Sequence, residues 1–91
     1  MGYMLKVLDF SATWCPPCQA MVPVIEELKE ELQDKVIFEE IDVDENRGEA
    51  QEFTIMGVPT FVLMKDGEEL DRKTGRVTKE EFKAWVEKYL R

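Results

Sequence analysis

The sequence predicts an α/β domain in which a four-stranded mixed sheet is flanked by three helices, in the order β-α-β-α-β-β-α. A short apolar run at positions 5–10 is followed by a longer segment with apolar residues at helical spacing. Asp66-Gly67 separates two later strand-like runs, as in a two-residue hairpin. Strands joined by a helix are expected to be parallel and hairpin strands antiparallel, which makes the sheet mixed.

The first strand is predicted from Met4 to Phe10, where four residues are apolar: Leu5, Val7, Leu8 and Phe10. Asp9 interrupts this pattern. A carboxylate in a buried strand costs free energy unless it has a partner or a task. Asp9 is therefore a candidate functional residue, and the alternative is an aspartate at a strand edge or end that faces water.

The first helix is predicted over the run from Gln19 to Leu32, because apolar residues recur at helical spacing. These residues are Val22, Ile25, Leu28 and Leu32. Pro23 falls inside the run and should kink the helix. A second strand is then expected from Val36 to Val43.

A short second helix should end at about Phe53, with N-capping groups in the segment Asp44-Glu45-Asn46. Pro59 opens the third strand, Thr60 to Met64. The return strand of the hairpin, Glu68 to Lys73, stops at Gly75.

A capping box formed by Thr78 and Glu81 predicts the start of the last helix. One face of this helix is apolar, and its members are Phe82, Trp85, Val86 and Tyr89. Trp85 is expected to be a core residue.

Length and composition predict a single domain spanning residues 1–91, with 44% hydrophobic residues. The 12 basic against 20 acidic residues give a net charge of −8, which disfavours nucleic acid and anionic membranes as partners. No apolar run approaches the ~18 residues of a membrane span. The first residues lack the basic region of a secretory signal, so a cytoplasmic protein is expected.

Both cysteines of the chain lie two residues apart, in the segment Trp14-Cys15-Pro16-Pro17-Cys18. The segment follows a strand and leads into a helix, so Cys15 should lie just before the helix and Cys18 in its first turn. Helix N–H groups and the positive end of the helix dipole then favour a thiolate at Cys15. This placement is typical of a redox-active cysteine pair.

The two prolines of this segment have different consequences. Pro17 lies near the first helical position, where its fixed φ is already helical and its missing N–H does no harm. Pro16 stiffens the link between the sulfurs, but it also removes an N–H that would face Cys15. The two effects oppose each other, and the sequence leaves the redox potential of the pair open.

The alternatives to a redox pair are half of a zinc site and two inert buried cysteines. A structural zinc ion takes four ligands, usually Cys or His, and the chain has 2 Cys and 0 His. Such a site would need residues of a second chain. The flanking tryptophan and prolines argue against an inert pair, and no metal or other cofactor is predicted.

The chain resembles the thioredoxin family over nearly all of its length. The matching motifs are Asp9 six residues before Cys15, Trp14-Cys15-x-Pro17-Cys18, Pro23, Asp42-Val43-Asp44-Glu45-Asn46, Gly57-Val58-Pro59-Thr60, Lys65-Asp66-Gly67 and Gly75. The resemblance implies the thioredoxin-like fold.

Two features depart from the family pattern. The usual first strand and helix are missing, as in short archaeal thioredoxins and glutaredoxins. Glu40 stands where the family tends to place a lysine beside the buried aspartate. A glutamate there should push the pKa of Asp9 further up, in contrast to a lysine.

The resemblance also implies roles for individual residues. Cys15 would be the attacking thiolate, Cys18 the resolving thiol, and Asp9 the group that accepts the Cys18 proton, through a water. The Val58–Pro59 bond would be cis and lie beside the cysteines. A shallow apolar docking surface for substrates would be formed by Trp14, Pro16, Val58, Pro59 and Gly75. The alternative for Trp14 is ordinary core packing.

The function that these features predict is a general protein disulfide reductase, acting as a monomer on disulfide-containing proteins and re-reduced by a thioredoxin reductase or an equivalent donor. One alternative is a glutaredoxin-like enzyme that takes electrons from glutathione. Another is a binding module that has kept the fold and lost turnover.

Overall fold

The structure of the protein, a computed structural model, describes residues 4–90. Residues 1–3, on which the prediction about a secretory signal partly rests, lie outside this range, as does residue 91. Seven elements follow one another: β1 (Leu5–Ser11), α1 (Pro16–Glu31), β2 (Val36–Asp42), α2 (Arg47–Glu52), β3 (Thr60–Lys65), β4 (Glu68–Thr74) and α3 (Lys79–Lys88). The predicted order of strands and helices is confirmed.

The four strands form one sheet in the order β2-β1-β3-β4. β1 pairs in parallel with β2 and antiparallel with β3, and β3 pairs antiparallel with β4. The predicted mixed sheet is therefore confirmed. β1 is a central strand, so its residues, including Asp9, have a strand on each side.

Helices cover both faces of the sheet. The face of α1 and α3 buries Leu5, Val7, Phe61 and Leu63 of the strands against Met21, Ile25, Leu28, Phe82, Trp85 and Val86 of the helices. The other face buries Leu8, Phe10, Ile41 and Val62, with Ala50 and Phe53 of the α2 region packed against them. Trp85 lies in the core, as predicted.

The first helix starts at Pro16, three residues before the apolar run that predicts it, so Cys15 lies just before the helix and Cys18 in its first turn, as predicted. Proline is tolerated at the first helical positions, whose N–H groups have no partner within the helix. The buried residues of α1 are Cys18, Met21, Ile25 and Leu28. Val22, predicted on the apolar face, is 49% exposed, because the buried stripe passes through Met21 instead. α1 continues through Pro23 as one helix.

The start of α2 also differs from the prediction. Asn46 is the N-cap residue, but its side chain makes no capping hydrogen bond. Asp42, at the end of β2, holds the turn instead: its carboxylate accepts the N–H groups of Asp44 at 2.8 Å and Glu45 at 3.3 Å. The predicted capping by the 44–46 side chains is wrong, and the Asn46 side-chain amide instead donates a hydrogen bond to the Asp42 carbonyl oxygen at 3.0 Å.

Two local predictions in the second half of the chain, the hairpin turn and the capping box of the last helix, are confirmed. Asp66 and Gly67 have φ values of 52° and 82°, the left-handed conformation that a tight hairpin turn requires. The Thr78 side chain accepts the Glu81 N–H at 3.1 Å, and the Glu81 carboxylate accepts the Thr78 N–H at 3.2 Å. Within residues 4–90, every helix is too short or too polar to cross a bilayer.

Candidate active site

Cys15 and Cys18 form a disulfide across the first turn of α1, with their Cα atoms 5.2 Å apart. Cys15 is the N-cap residue and has an extended backbone, with φ −99° and ψ 108°. This places its side chain over the start of the helix, and the helical turn brings Cys18 within bonding reach. In the part of the chain that the structure describes, no three His, Cys, Asp or Glu side chains are grouped to hold a metal ion.

The sulfur of Cys15 occupies the position that an N-capping oxygen takes in other helices. The Cys18 N–H donates a hydrogen bond to Cys15 Sγ at 3.2 Å. Because Pro16 and Pro17 have no amide hydrogen, this is the first N–H that α1 presents. A capping bond is ordinarily received from the second or third helical residue, so Pro16 does not remove the donor that stabilises a thiolate here.

Both sulfur-bearing residues are recessed beneath their neighbours. Cys15 is 3% exposed and Cys18 is 4% exposed, whereas the adjoining Trp14 is 66% exposed. Pro16 is also exposed, and Val58 is half-buried. Access to the two sulfurs is therefore limited by the surface that surrounds them.

The loop before β3 lies against the cysteine pair. Cys15 Sγ lies 3.6 Å from the carbonyl oxygen of Val58. The Val58–Pro59 peptide bond is cis, as the resemblance implies. The Pro59 carbonyl accepts the N–H of Gly75 at 2.8 Å, and Gly75 has a φ of +96° that favours glycine. These contacts bring Val58, Pro59 and Gly75 together beside Cys15.

Trp14 is anchored across the site by Asp44, which the sequence analysis names as a capping and motif residue and not as a partner of Trp14. Its Nε1–H donates a hydrogen bond to the Asp44 carboxylate at 2.8 Å. The ring is largely exposed, so the alternative of core packing is wrong. The partners are 30 residues apart and no spacing in the sequence joins them.

A shallow apolar groove of about 220 Å³ extends from Trp14 to Val58. Its other walls include Val43, Ile55 and Met56. Met56 is 91% exposed, an unusual exposure for a large apolar side chain. The sequence held one signal for these residues, since Ile55 and Met56 directly precede the Gly57-Val58-Pro59 motif.

Asp9 lies buried on the central strand, with 8% exposure. The alternative of an edge residue facing water is therefore wrong. Burial, the charge of Glu40 and an opposing effect of Lys29, in that order, move the pKa of Asp9 from 3.8 to about 6. The expected influence of Glu40 is confirmed: this residue pairs with Asp9 in the parallel register of β1 and β2.

Lys29 is the site residue that the sequence analysis missed. Its Nζ lies 3.4 Å from a Glu40 oxygen and 3.6 Å from a Glu26 oxygen. The sequence shows Lys29 as one of many charged residues on the outer positions of α1. Only the packing of α1 on the sheet shows that it approaches the Asp9–Glu40 pair.

Asp9 and Cys18 lie on the same side of the sheet. Side chains alternate along a strand, so Asp9 shares its face with Leu5 and Val7, which pack against α1. Cys18 is the first residue of the buried stripe of that helix. The structure thus brings Asp9 under the helix that carries both sulfurs.

Comparison with known proteins finds similarity to thioredoxins. A sequence model of the family described as thioredoxin matches residues 3–88. The chain is 41% identical over 86 residues to a thioredoxin of Staphylococcus saprophyticus, covering 94% of this chain and 83% of that protein. It is 43% identical over 82 residues to a thioredoxin of Bacillus subtilis, covering 90% and 79%. A thioredoxin of Rickettsia typhi is 39% identical over 84 residues, covering 92% and 80%.

The match includes the strand with Asp9, the cysteine pair at the start of α1 and the cis-proline loop, which are the parts that meet at the disulfide. The chain therefore belongs to the thioredoxin family, and it is a thiol–disulfide oxidoreductase that reduces protein disulfides.

Proposed function

We propose that the protein is a general reductant of disulfides in other proteins, with Cys15 as the attacking and Cys18 as the resolving residue, and that a thioredoxin reductase or an equivalent donor re-reduces it. The observation that carries this proposal is the Cys18 N–H directed at Cys15 Sγ at the N-terminus of α1. A sulfur at this position is stabilised as a thiolate by an amide and by the helix dipole.

In the first step, the Cys15 thiolate attacks one sulfur of a substrate disulfide. A bond forms between Cys15 Sγ and that sulfur, the substrate S–S bond breaks, and the second substrate sulfur leaves as a thiolate that takes a proton from water. The recessed position of Cys15 supports an in-line approach guided by the surface around it.

In the second step, Cys18 loses its proton to Asp9 and its sulfur attacks Cys15 Sγ. The Cys15–Cys18 disulfide forms, the bond from Cys15 to the substrate breaks, and the substrate sulfur leaves as a thiolate. Two electrons have then passed to the substrate, Asp9 holds the proton of Cys18, and the substrate sulfur released in this step becomes a thiol when it takes a proton from water. A carboxylate with a pKa of about 6 is suited to accept this proton, since general bases work best near the ambient pH.

The docking surface consists of Trp14, Pro16, Val58 and Gly75, and Pro59, which was predicted to belong to it, lies fully buried beneath this surface. The apolar groove between Trp14 and Val58 supports binding of an extended substrate segment that carries an apolar side chain next to its cysteine. Val58 lies in a loop outside the sheet, where its backbone is placed to pair with such a segment.

The same proposal covers the domain organisation, the oligomeric state, the cellular location and the electron donor. Residues 1–91 act as one domain and as a monomer, and the enzyme works in the cytoplasm, where protein thiols are kept reduced. Every described element belongs to one sheet or packs on it, which supports the single domain. Reduction rates measured with a thioredoxin reductase or with glutathione as donor decide between a thioredoxin-type and a glutathione-dependent cycle.

A single-turnover experiment tests the residue roles. With a protein disulfide substrate, Cys18→Ser should accumulate the mixed disulfide on Cys15. Asp9→Asn should leave the first step intact and slow the second by about tenfold to a hundredfold at neutral pH, a typical size for loss of a general base. Asp34→Asn, at an exposed position, is the matched control. An Asp9→Asn protein that resolves at the wild-type rate across about pH 6 to 9 would refute the role of Asp9.

A further inference from the structure

A pair of opposite charges lies beside Asp9 and spans two elements. Lys29, on α1, places its Nζ 3.4 Å from a carboxylate oxygen of Glu40, on β2. Glu40 pairs with Asp9 in the parallel register. Glu40 is thus fixed next to Asp9 by the strand pairing, and Lys29 reaches this pair from α1 through its contact with Glu40.

We propose that Lys29 and Glu40 are positioning residues that act on Asp9 with opposite sign and so set the pH range in which Asp9 accepts the proton of Cys18. The inference rests on the proposed role of Asp9 in the second step. Neither residue touches the reacting sulfurs in this account, and each acts through the charge that it presents to Asp9.

The signs follow from electrostatics. Burial disfavours the charged form of Asp9, and the negative charge of Glu40 disfavours it further, so both raise the Asp9 pKa. The positive charge of Lys29 lowers the same pKa. Lys29 also binds Glu40 and thereby weakens the repulsion between the two carboxylates. Without Lys29, the negative charge of Glu40 would act on Asp9 unopposed and the Asp9 pKa would rise.

The surroundings of Asp9 contain few other charges that bear on this balance. β3 places Phe61, which carries no charge, opposite Asp9. α1 contributes the Cys18 thiol in the dithiol form and Glu26, which also binds Lys29 at 3.6 Å. Within residues 4–90, the charged groups that shift the Asp9 pKa are Glu40 and Lys29.

Lys29 lies far enough along α1 that its effect on Asp9 can be distinguished from a direct effect on the cysteine sulfurs. Lys29 lies eleven residues after Cys18, roughly 16 Å along the axis of α1 at 1.5 Å per residue. That separation is about two Debye lengths in physiological salt, so the solvent-accessible charge of Lys29 acts weakly on the sulfurs. A change at Lys29 should therefore alter the titration of Asp9 more than that of Cys15.

The chain offers a control ion pair on β1 and β2, the strands that carry Asp9 and Glu40. Lys6 on β1 and Glu39 on β2 form an ion pair at 3.1 Å. They adjoin the α2 face of the sheet with Leu8 and Phe53, away from α1. This pair has the same charges and a similar exposure, and it has no influence on the Asp9 pKa.

The test is a carbon NMR titration of the Asp9 carboxyl group in the disulfide form, in which the cysteines do not titrate. Lys29→Gln should raise the Asp9 titration midpoint by about half a unit or more, and Glu40→Gln should lower it by a similar amount. The double variant should fall between them. Lys6→Gln and Glu39→Gln should leave the midpoint where the wild type has it. Equal midpoints in the wild type, Lys29→Gln and Glu40→Gln would overturn the inference.

The second measurement is the pH profile of mixed-disulfide resolution. The pH at which the rate of resolution begins to rise should be higher in Lys29→Gln and lower in Glu40→Gln, by the same amounts as the NMR midpoints. A profile that stays fixed while Asp9→Asn slows resolution overturns the inference and leaves the role of Asp9 intact. If Asp9→Asn does not slow resolution, the proposed function of Asp9 fails, whatever the midpoints show.

Discussion

Asp9 is a buried carboxyl group whose ionisation weakens the fold that holds it. It lies on the central strand at 8% exposure, where burial raises its pKa from 3.8 to about 6. A carboxyl whose pKa is higher in the folded than in the unfolded chain favours folding most below the unfolded value. That contribution is lost as the pH rises through the folded value.

The first prediction concerns Asp9→Asn in the disulfide form. The difference between 3.8 and about 6 corresponds to about 3 kcal/mol, which the wild type loses between about pH 4 and pH 7. The variant carries no charge at this position, so it should be more stable than the wild type at pH 8 by up to this amount. Urea unfolding at a series of pH values measures the difference, which should shrink to near zero at about pH 4.

Asp34→Asn is the control for this experiment, because Asp34 is exposed. Its stability relative to the wild type should not change over the same pH range. A stability gain of Asp9→Asn that is equal at pH 4 and pH 8 would contradict the assigned pKa shift of Asp9.

The residues of the site differ in how far the sequence could predict them. Cys15, Cys18 and Asp9 stand out because a cysteine pair before a helix and a carboxylate in an apolar strand are both unusual. Lys29 does not stand out among the charged residues of its helix, and the motif that contains Asp44 does not indicate its partner. Trp14 and Asp44, for example, meet across 30 residues. Such contacts depend on packing, which spacing does not encode.

At the scale of elements, Asp71 on β4 fastens the last helix to the sheet. Its carboxylate accepts hydrogen bonds from Trp85 Nε1 and from the Tyr89 hydroxyl, both at 2.9 Å. The bond from Trp85, followed by that from Tyr89, holds the pKa of Asp71 below its ordinary value despite partial desolvation. The end of α3 thus depends on a side chain of the edge strand.

The second prediction is that Asp71→Ala destabilises the protein by about 1–3 kcal/mol at neutral pH, because the indole N–H of Trp85 loses its partner in the core. Asp71→Asn retains one acceptor oxygen and should cost less. Because the pKa of Asp71 is lowered on folding, its contribution is present above about pH 4 and is lost at lower pH. Chemical unfolding at neutral and acid pH, followed by tryptophan fluorescence, measures both effects. A cost that is the same at both pH values would contradict the ionic part of this account.

The types and order of the elements were predictable, and their starts were less so. The hairpin at Asp66-Gly67 and the capping box at Thr78 involve residues close in sequence, and both predictions hold. The placement of Cys15 before α1 and of Cys18 in its first turn was predictable from the strand, the cysteine pair and Pro17. The exposure of Val22 was not, since the face that a helix buries depends on how it meets the sheet.

At the scale of the whole molecule, the larger part of the core lies between the sheet and the pair α1 and α3. Phe82 is at its centre and has no exposed surface. Its ring packs edge-on against Phe61 at 5.1 Å and Trp85 at 5.4 Å, and it stacks on Phe38 at 6.1 Å. Strands and helices therefore share one aromatic cluster.

The third prediction is that Phe82→Ala costs about 3–5 kcal/mol, the range for truncating a fully buried aromatic residue. A domain of this size has a total stability of about 5–15 kcal/mol, so the variant should lose a large share of it. Phe82→Leu keeps most of the volume and should cost clearly less. Calorimetry of both variants gives the comparison. Equal losses for alanine and leucine would show that cavity volume does not govern this position.

The recess that holds Cys15 has a consequence for which disulfides the enzyme reduces. Cys15 is 3% exposed and its sulfur lies 3.6 Å from the Val58 carbonyl oxygen, so we expect a substrate to reach it by packing an extended segment against this loop. The residues around a disulfide in a rigid, well-folded protein are not free to adopt that conformation. We therefore expect disulfides in flexible segments to be reduced faster than disulfides in rigid domains.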